Sequence, residues 1–306
     1  MSEWEEAERR AEAAIAELRG RMAEDASAIM VFLGAGLSIG VGRALGRATF
    51  EMPAPLADDA RFPSWPMLID RMRVELRASA GEDEGGLIEH FMREQSPLDA
   101  AQLFRLRTTL ERYREFLTEQ FITLPADRAR LTPSHGALVA LPVRDLFTTN
   151  YDSLIELAFE REGRELAVST TPVEFLHVAV GHPQTHLVKL HGTWERPDEI
   201  VLTRDDYARS RLERAEMFRH LAQTARFTSF LFIGFSLGDP NFNLIRDEAR
   251  AVMGDAMPTS YLVQQRVDPV MRGYLRSLDV EVVELFTWNE LPRFLHAINP
   301  AVEPAA

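Results

Sequence analysis

The sequence predicts a Rossmann-like α/β fold: a doubly wound parallel sheet with a helical insertion. Three observations predict it. Short apolar runs stop at glycine, strand-like and helix-like segments alternate along the chain, and one long stretch after the first strand is almost wholly helical in pattern. Strands buried on both faces of a parallel sheet read as continuous apolar runs, and their alternation with helices defines this architecture.

The elements come in this order. Trp4, Ala7, Ala11, Ala14, Ile15, Leu18 and Met22 recur at three- and four-residue spacing, forming one apolar stripe of an amphipathic helix that ends by Asp25. That stripe is short for an independent coiled coil, so packing on its own domain is expected over a subunit interface. Ile29 to Leu33 is the first strand. After a Pro-rich stretch from Glu51 to Pro66, residues 65–125 form the insertion, with Leu68, Met72, Leu76, Leu87, Phe91, Leu103, Phe104, Leu110, Phe116 and Leu117 at helical spacing. An insertion of this kind suits a small second subdomain or a lid. Alternation then resumes, with strands at Val143 to Phe147, His186 to Leu190, Phe230 to Phe235, Tyr261 to Val263 and Val280 to Leu285. Helical segments run from Asp152 to Glu160, Thr203 to Ala222, Asn241 to Val252 and Asn289 to Leu295. The expected division is a helix over 1–24, one domain over 25–298 and a frayed tail over 299–306.

Composition excludes several classes. The 47 acidic against 34 basic residues give a net charge of −13, which argues against direct binding along a nucleic-acid backbone. There is no cysteine, which removes disulfides, thiol nucleophiles and thiolate-bound zinc together. The charged start is unlike a secretory signal, and no apolar run reaches the roughly 20 residues of a membrane span. A cytoplasmic protein without membrane attachment is expected. His177, His182 and His186 lack a neighbouring carboxylate to complete a site, and no metal is expected.

In such a sheet, ligands bind beyond the carboxyl ends of the strands. Four loops there carry the chemistry. IMVFLGAGLS runs from a strand into Gly34, Ala35, Gly36 and Ser38, where glycine permits positive φ and close approach of backbone N–H groups to a pyrophosphate. The hydride-transfer fingerprint is missed, because Gly40 falls one residue late and Met52 to Asp59 supplies no strand-ending acid for a ribose. A P-loop is also absent. DLFTTNYDSL places Thr148, Thr149, Asn150 and Asp152 between a strand and a helix, where Asn150 or Asp152 can also cap that helix. LVKLHGTW delivers His191 at a strand end beside Gly192, with Lys189 two residues earlier on the same face and able to keep the imidazole neutral. FLFIGFSLGDPN ends another strand in Gly234, Ser236, Leu237 and Gly238, whose bland alternative is a tight turn.

In this order, GAGLS, TTNYD, KLHG and GFSLGDPN resemble the sirtuin family, specifically sirtuin-like domains that lack the zinc module, across residues 28 to 290. TPSHGALVAL and TRDDY add weaker support. The resemblance implies that Gly34, Ala35, Gly36 and Ser38 hold the pyrophosphate of NAD, that Gly234, Ser236 and Leu237 contact phosphate or the adenosine ribose, and that Thr148 and Thr149 line the same site. It assigns Asn150 to the nicotinamide ribose and water, Asp152 to the carboxamide, and His191 to the role of general base.

Departures from the protein deacylases of that family matter. Gly40-Val41-Gly42-Arg43 stands in place of their G-I-P-x-F-R run, the zinc cysteines are missing, and Thr193-Trp194-Glu195-Arg196 stands where their peptide segment would be. The zinc-less relatives are commonly bacterial antiviral effectors that hydrolyse NAD, often as oligomers or with a sensing partner. Expected, then, is hydrolysis of NAD to nicotinamide and ADP-ribose in abortive anti-phage defence. A homo-oligomer is expected as well, with a separate sensor or ATPase subunit as a further partner. Deacylation, cyclisation of NAD and a non-catalytic NAD- or ADP-ribose-sensing module stay open as alternatives.

Overall fold

The computed structural model describes residues 3–41, 62–181 and 184–303. The Met52 to Asp59 region, Gly42, Arg43, His182 and Pro183 lie outside the described residues. Seven strands run parallel: β1 (Ile29–Leu33), β2 (Asp145–Thr148), β3 (Ala167–Ser169), β4 (His186–Lys189), β5 (Ser229–Ile233), β6 (Ser260–Gln265) and β7 (Val280–Leu285). Their order is β3-β4-β2-β1-β5-β6-β7. The chain builds from β1 toward one edge, then returns to place β5 on the other flank of β1. That reversal is the switch point where open α/β sheets form their ligand crevice.

The described helices are α1 (Glu3–Glu24), α2 (Trp65–Ser79), α3 (Glu82–Glu94), α4 (Pro97–Arg107), α5 (Leu110–Phe121), α6 (Pro133–Ala140), α7 (Leu154–Arg161), α8 (Pro172–Gly181), α9 (Arg204–Glu213), α10 (Ala215–Thr224), α11 (Pro240–Met253), α12 (Pro269–Arg276) and α13 (Leu291–Ile298). Alternate strand residues face opposite layers. On β1, Ile29, Val31 and Leu33 meet the layer of α1, α6, α7 and α13, whereas Met30 and Phe32 meet α10 and α11. Phe32 lies at the centre of that second layer, its ring centroid 4.5 Å from Phe235 and 4.7 Å from Phe242. Helix α1 covers its own sheet through Ala14, Leu18 and Met22, and Arg19 ties it to the carbonyl oxygens of Ala297, Asn299 and Val302.

Helices α2 to α5 form a third cluster around Met72, Phe104, Phe116 and Leu117, closed by Tyr151, Ile200 and Leu202 of the sheet layer. Ser96 and Thr109 cap α4 and α5 by accepting from Asp99 N and Arg112 N. Two local expectations differ. On α3 the buried face is Ile88 and Met92, while Leu87 is 71% exposed, because the helix turns its second stripe inward. The expected helix from Thr203 to Ala222 is broken into α9 and α10 at Arg214, whose guanidinium turns inward to the carbonyls of Thr170 and Glu199 at 2.6 Å each. Strand β3 and helices α6, α8 and α12 are additions to the sequence reading. Strand β3 spans only three residues at the sheet edge, and α8 leaves Val173, Leu176 and Val180 exposed, so neither carries a strong periodic signal.

Leu18→Ala should lower stability by about 2–5 kcal/mol in urea unfolding, the cost of a cavity in a packed core. Unchanged stability with an altered molecular mass would instead place α1 at a subunit interface.

Two buried histidines make the fold acid-sensitive. Burial holds His135 and His186 at about 4, against an ordinary value of 6.5. Their ring nitrogens pair with the Thr132 and Ser169 hydroxyls at 2.9 and 2.8 Å. The unfolded chain binds these protons first, so the stability they contribute is complete above about 6.5 and is lost as pH falls through about 4. The urea midpoint should therefore drop between pH 7 and pH 4.5, and His135→Gln should flatten that slope.

Candidate active site

Strand register brings the four loops together. Leu33 of β1 pairs with Thr148 of β2 and Ile233 of β5, and Thr148 pairs with Lys189 of β4. All four strands thus end at one level. Gly34 and Gly234 leave the sheet one residue beyond it, and Asn150 and His191 two residues beyond.

The β1 and β5 turns interlock. Gly34 N–H donates to the Ile233 carbonyl at 3.0 Å and Gly36 N–H to the Gly234 carbonyl at 2.9 Å. A Cβ on Gly34 would lie 2.4 Å from the Gly234 oxygen, and one on Gly36 would lie 2.6 Å from the Gly234 Cα. Gly234 has φ of +64° and its own added Cβ would meet Leu37 N at 2.5 Å. The positive φ expected in the first loop therefore sits across from it, at Gly234, and Gly34 and Gly36 are needed for close approach. Ala35, Gly36 and the exposed Ser236 remain on the outer face of this junction. Leu237, at φ +57°, has its carbonyl held by Asn243 Nδ2 at 2.8 Å.

The β2 loop is tied to the first one by side chains. Asn150 Nδ2 donates to the Gly34 carbonyl at 3.2 Å and Ser38 Oγ at 3.0 Å, and Ser38 Oγ donates to Asp152 Oδ2 at 2.9 Å. Asp152 Oδ1 accepts from Leu154 N at 3.2 Å, so this carboxylate closes a turn onto the first residue of α7 and anchors Ser38 at once. Thr148 Oγ1 bridges strands by donating to the Leu33 carbonyl at 3.0 Å and accepting from Asn150 N at 3.0 Å. Thr149 is half-buried beside it. Burial raises the Asp152 carboxyl above its ordinary value, opposed by Lys189.

His191 is 2% exposed, and burial holds it below its ordinary value, with Asp239 pulling upward and Arg214 downward. Lys189 is not the group that does this. Its ammonium turns away to the Asp152 carbonyl at 2.7 Å and Glu156 Oε1 at 2.8 Å, joining β4 to the start of α7. The partner of His191 is Asp239, whose Oδ2 lies 3.2 Å from Nε2. Tyr207 donates to the same oxygen at 2.8 Å. Asp239 and Tyr207 were missed as site residues because the GFSLGDPN loop reads only through its glycines and Ser236, and TRDDY only as the opening of a mostly polar helical stretch; both stand inside motifs of the resemblance. Gly192, at φ +84°, lets the chain turn sharply after the histidine, and its added Cβ would meet the Glu199 carbonyl at 2.7 Å.

The run after the histidine folds back on the β2 loop. Trp194 N–H donates to the Tyr151 carbonyl at 3.0 Å, Trp194 Nε1 to Ser153 Oγ at 3.1 Å, and Ser153 Oγ to Glu195 at 2.8 Å. His177 is exposed and His186 is engaged with Ser169. Among the described residues no three acidic or histidine side chains gather as metal ligands.

A seven-stranded parallel sheet with helices on both faces, and an Asn-bearing loop next to a His-bearing loop beside the switch point, defines a Rossmann-like α/β protein. The comparisons point the same way: residues 144–283 match the model of the SIR2-like domain. It is 26% identical over 264 residues to the NAD(+) hydrolase ThsA of Acinetobacter baumannii (strain 532279), covering 80% of this chain and 52% of that protein. It is 26% identical over 288 residues to the NAD(+) hydrolase ThsA of Bacillus cereus (strain MSX-D12), covering 88% and 53%. It is 24% identical over 230 residues to Defense-associated sirtuin 2 of Bacillus subtilis, covering 74% and 21%. The chain spans about half the length of the two hydrolases.

Gly234→Ala should cost about 1–3 kcal/mol, since it forces a side chain into a left-handed backbone pressed against Leu37. Urea unfolding measures this, and an unchanged midpoint would mean that the junction is not close-packed.

Proposed function

We propose that this chain hydrolyses NAD to nicotinamide and ADP-ribose, with Asn150 and His191 as the catalytic pair. One observation carries the reading: Asn150 and His191 emerge at the same level from adjacent strands, beside the β1–β5 switch point. The names of the relatives support the same chemistry. Nicotinamide leaves an NAD pyridinium as a neutral molecule, because it takes the electrons of the broken C1′–N bond. No general acid is therefore required, and one base with a positioned water suffices. Asn150 Nδ2 is occupied by the Gly34 carbonyl and Ser38, which turns its Oδ1 outward as an acceptor for that water. The water oxygen bonds to C1′ and its proton passes to His191, kept neutral by burial.

For the dinucleotide itself, Ala35, the outer face of Gly36 and Ser236 are the proposed phosphate contacts, with Thr149 and Leu237 at the margins. Ser38 and Asp152 act within the protein, fixing Asn150, and we propose that Asp152 reaches the carboxamide only by exchanging its bond to Ser38. The deacylase alternative is disfavoured by the run 193–196, whose Trp194 and Glu195 are committed to the β2 loop. The physiological reading is NAD depletion in the cytoplasm during phage infection, as abortive defence, by a homo-oligomer that answers to a sensor subunit. The relative named for defence and the lethality of unrestrained NAD loss support it.

His191→Ala and Asn150→Ala should each reduce kcat for NAD cleavage by about 10²–10⁴ while NAD binding is largely retained. Chromatography of nicotinamide release measures the first and calorimetry the second. Cleavage at the wild-type rate in either variant would remove the assignment.

A further inference from the structure

We propose that Asp239 is a positioning residue for His191: it holds the Nε2–H edge of the imidazole, so that Nδ1 is the nitrogen that accepts the proton. The inference rests on the reading of His191 as the base.

Asp239 is more than a helix cap. Capping α11 uses one carboxylate oxygen, Oδ1, which accepts from Phe242 N at 2.8 Å. The other oxygen lies 3.2 Å from His191 Nε2 and accepts from the Tyr207 hydroxyl at 2.8 Å. The Asp239 side chain is 7% exposed, so both oxygens are satisfied inside the protein. Three elements converge on it: the β4 loop, α9 and the start of α11. An ionised carboxylate only accepts, so the nitrogen facing it carries the hydrogen, and in a neutral imidazole the lone pair then belongs to the other nitrogen.

The surroundings fix the ring as well. The His191 carbonyl accepts from Val201 N at 3.0 Å. Its ring meets Tyr207 edge-on with centroids 5.1 Å apart, and Tyr151 lies 6.5 Å away on a more parallel plane. The charged groups that bear on it are Asp239 and Arg214, with the Tyr207 and Tyr151 hydroxyls as the neighbouring titratable groups. Removing the Asp239 charge leaves burial and Arg214 unopposed, so the base deprotonates at lower pH.

Asp239→Asn tests this, because asparagine retains the cap and the volume but offers an amide that can donate to the ring and invert its tautomer. In the full chain, histidine ¹⁵N NMR should show Nε2 protonated and Nδ1 pyridine-like in the wild type, and a changed tautomer in the variant. The kcat for NAD cleavage should fall by about 10²–10⁴ with KM nearly unchanged, and the acid limb of the rate profile should move to lower pH. Tyr207→Phe, which leaves the cap untouched, should lose roughly five- to tenfold, the effect of one hydrogen bond. Wild-type kcat in Asp239→Asn, or an Nδ1-protonated wild-type ring, would overturn the proposal. Should the wild type leave NAD intact, the NMR tautomer still decides the role of Asp239, separately from the proposed reaction.

Discussion

The close approach of the β1 and β5 turns is the constraint on which the site depends. Gly34 and Gly36 face Gly234 with no room for a Cβ on any of them, and two N–H groups of the first turn close onto carbonyls of the second. This seam sits at the reversal of strand order, where a doubly wound sheet opens its crevice. Because Asn150 bonds to the Gly34 carbonyl and to Ser38, the seam also sets where the Asn150 amide points. A shift of either turn would move the side chain assigned to the water.

A second level of order comes from buried polar contacts that join one loop to the next. Asp152 links Ser38 to the first turn of α7, and Lys189 links β4 to that same turn through the Asp152 carbonyl and Glu156. Ser38, Asp152 and Lys189 are buried and would cost free energy if left unpaired, so the network holds one arrangement against alternatives. The helical insertion reaches it from outside. Tyr151 packs on Phe121 of α5 with centroids 4.8 Å apart and donates to the Val201 carbonyl at 2.8 Å, while Arg114 and Gln102 bind Asp198 and Asp205. These contacts place the insertion against the 198–207 segment, which supplies Tyr207 beside His191.

Much of this was legible in the sequence, for physical reasons. Buried parallel strands are apolar at their centres, so β1, β5 and, between His186 and Lys189, β4 announce themselves and the glycines after them mark the crevice side of the sheet. The residues just beyond those strands and β2, Asn150 and His191 included, could therefore be placed. Pairings across the fold were not legible. Nothing local tells that Lys189 reaches α7 and not His191, or that the cap residue Asp239 lends its second oxygen to the histidine. The role of Gly34 was also misjudged in kind, since spacing shows a glycine without showing whether φ or a neighbouring backbone demands it. Short edge elements such as β3, and α8 with its outward apolar face, lacked the periodicity that burial imposes on longer ones.

The central claim is that this site adds water to the ribose of NAD. Incubation of the purified protein with NAD in ¹⁸O-water, followed by mass spectrometry, tests it most directly. The account predicts nicotinamide and ADP-ribose in equal amounts, with one ¹⁸O at C1′ of the ribose and no requirement for an acylated peptide. Intact NAD recovered from the complex, a cyclised product, or cleavage only with an acyl-lysine peptide would contradict it.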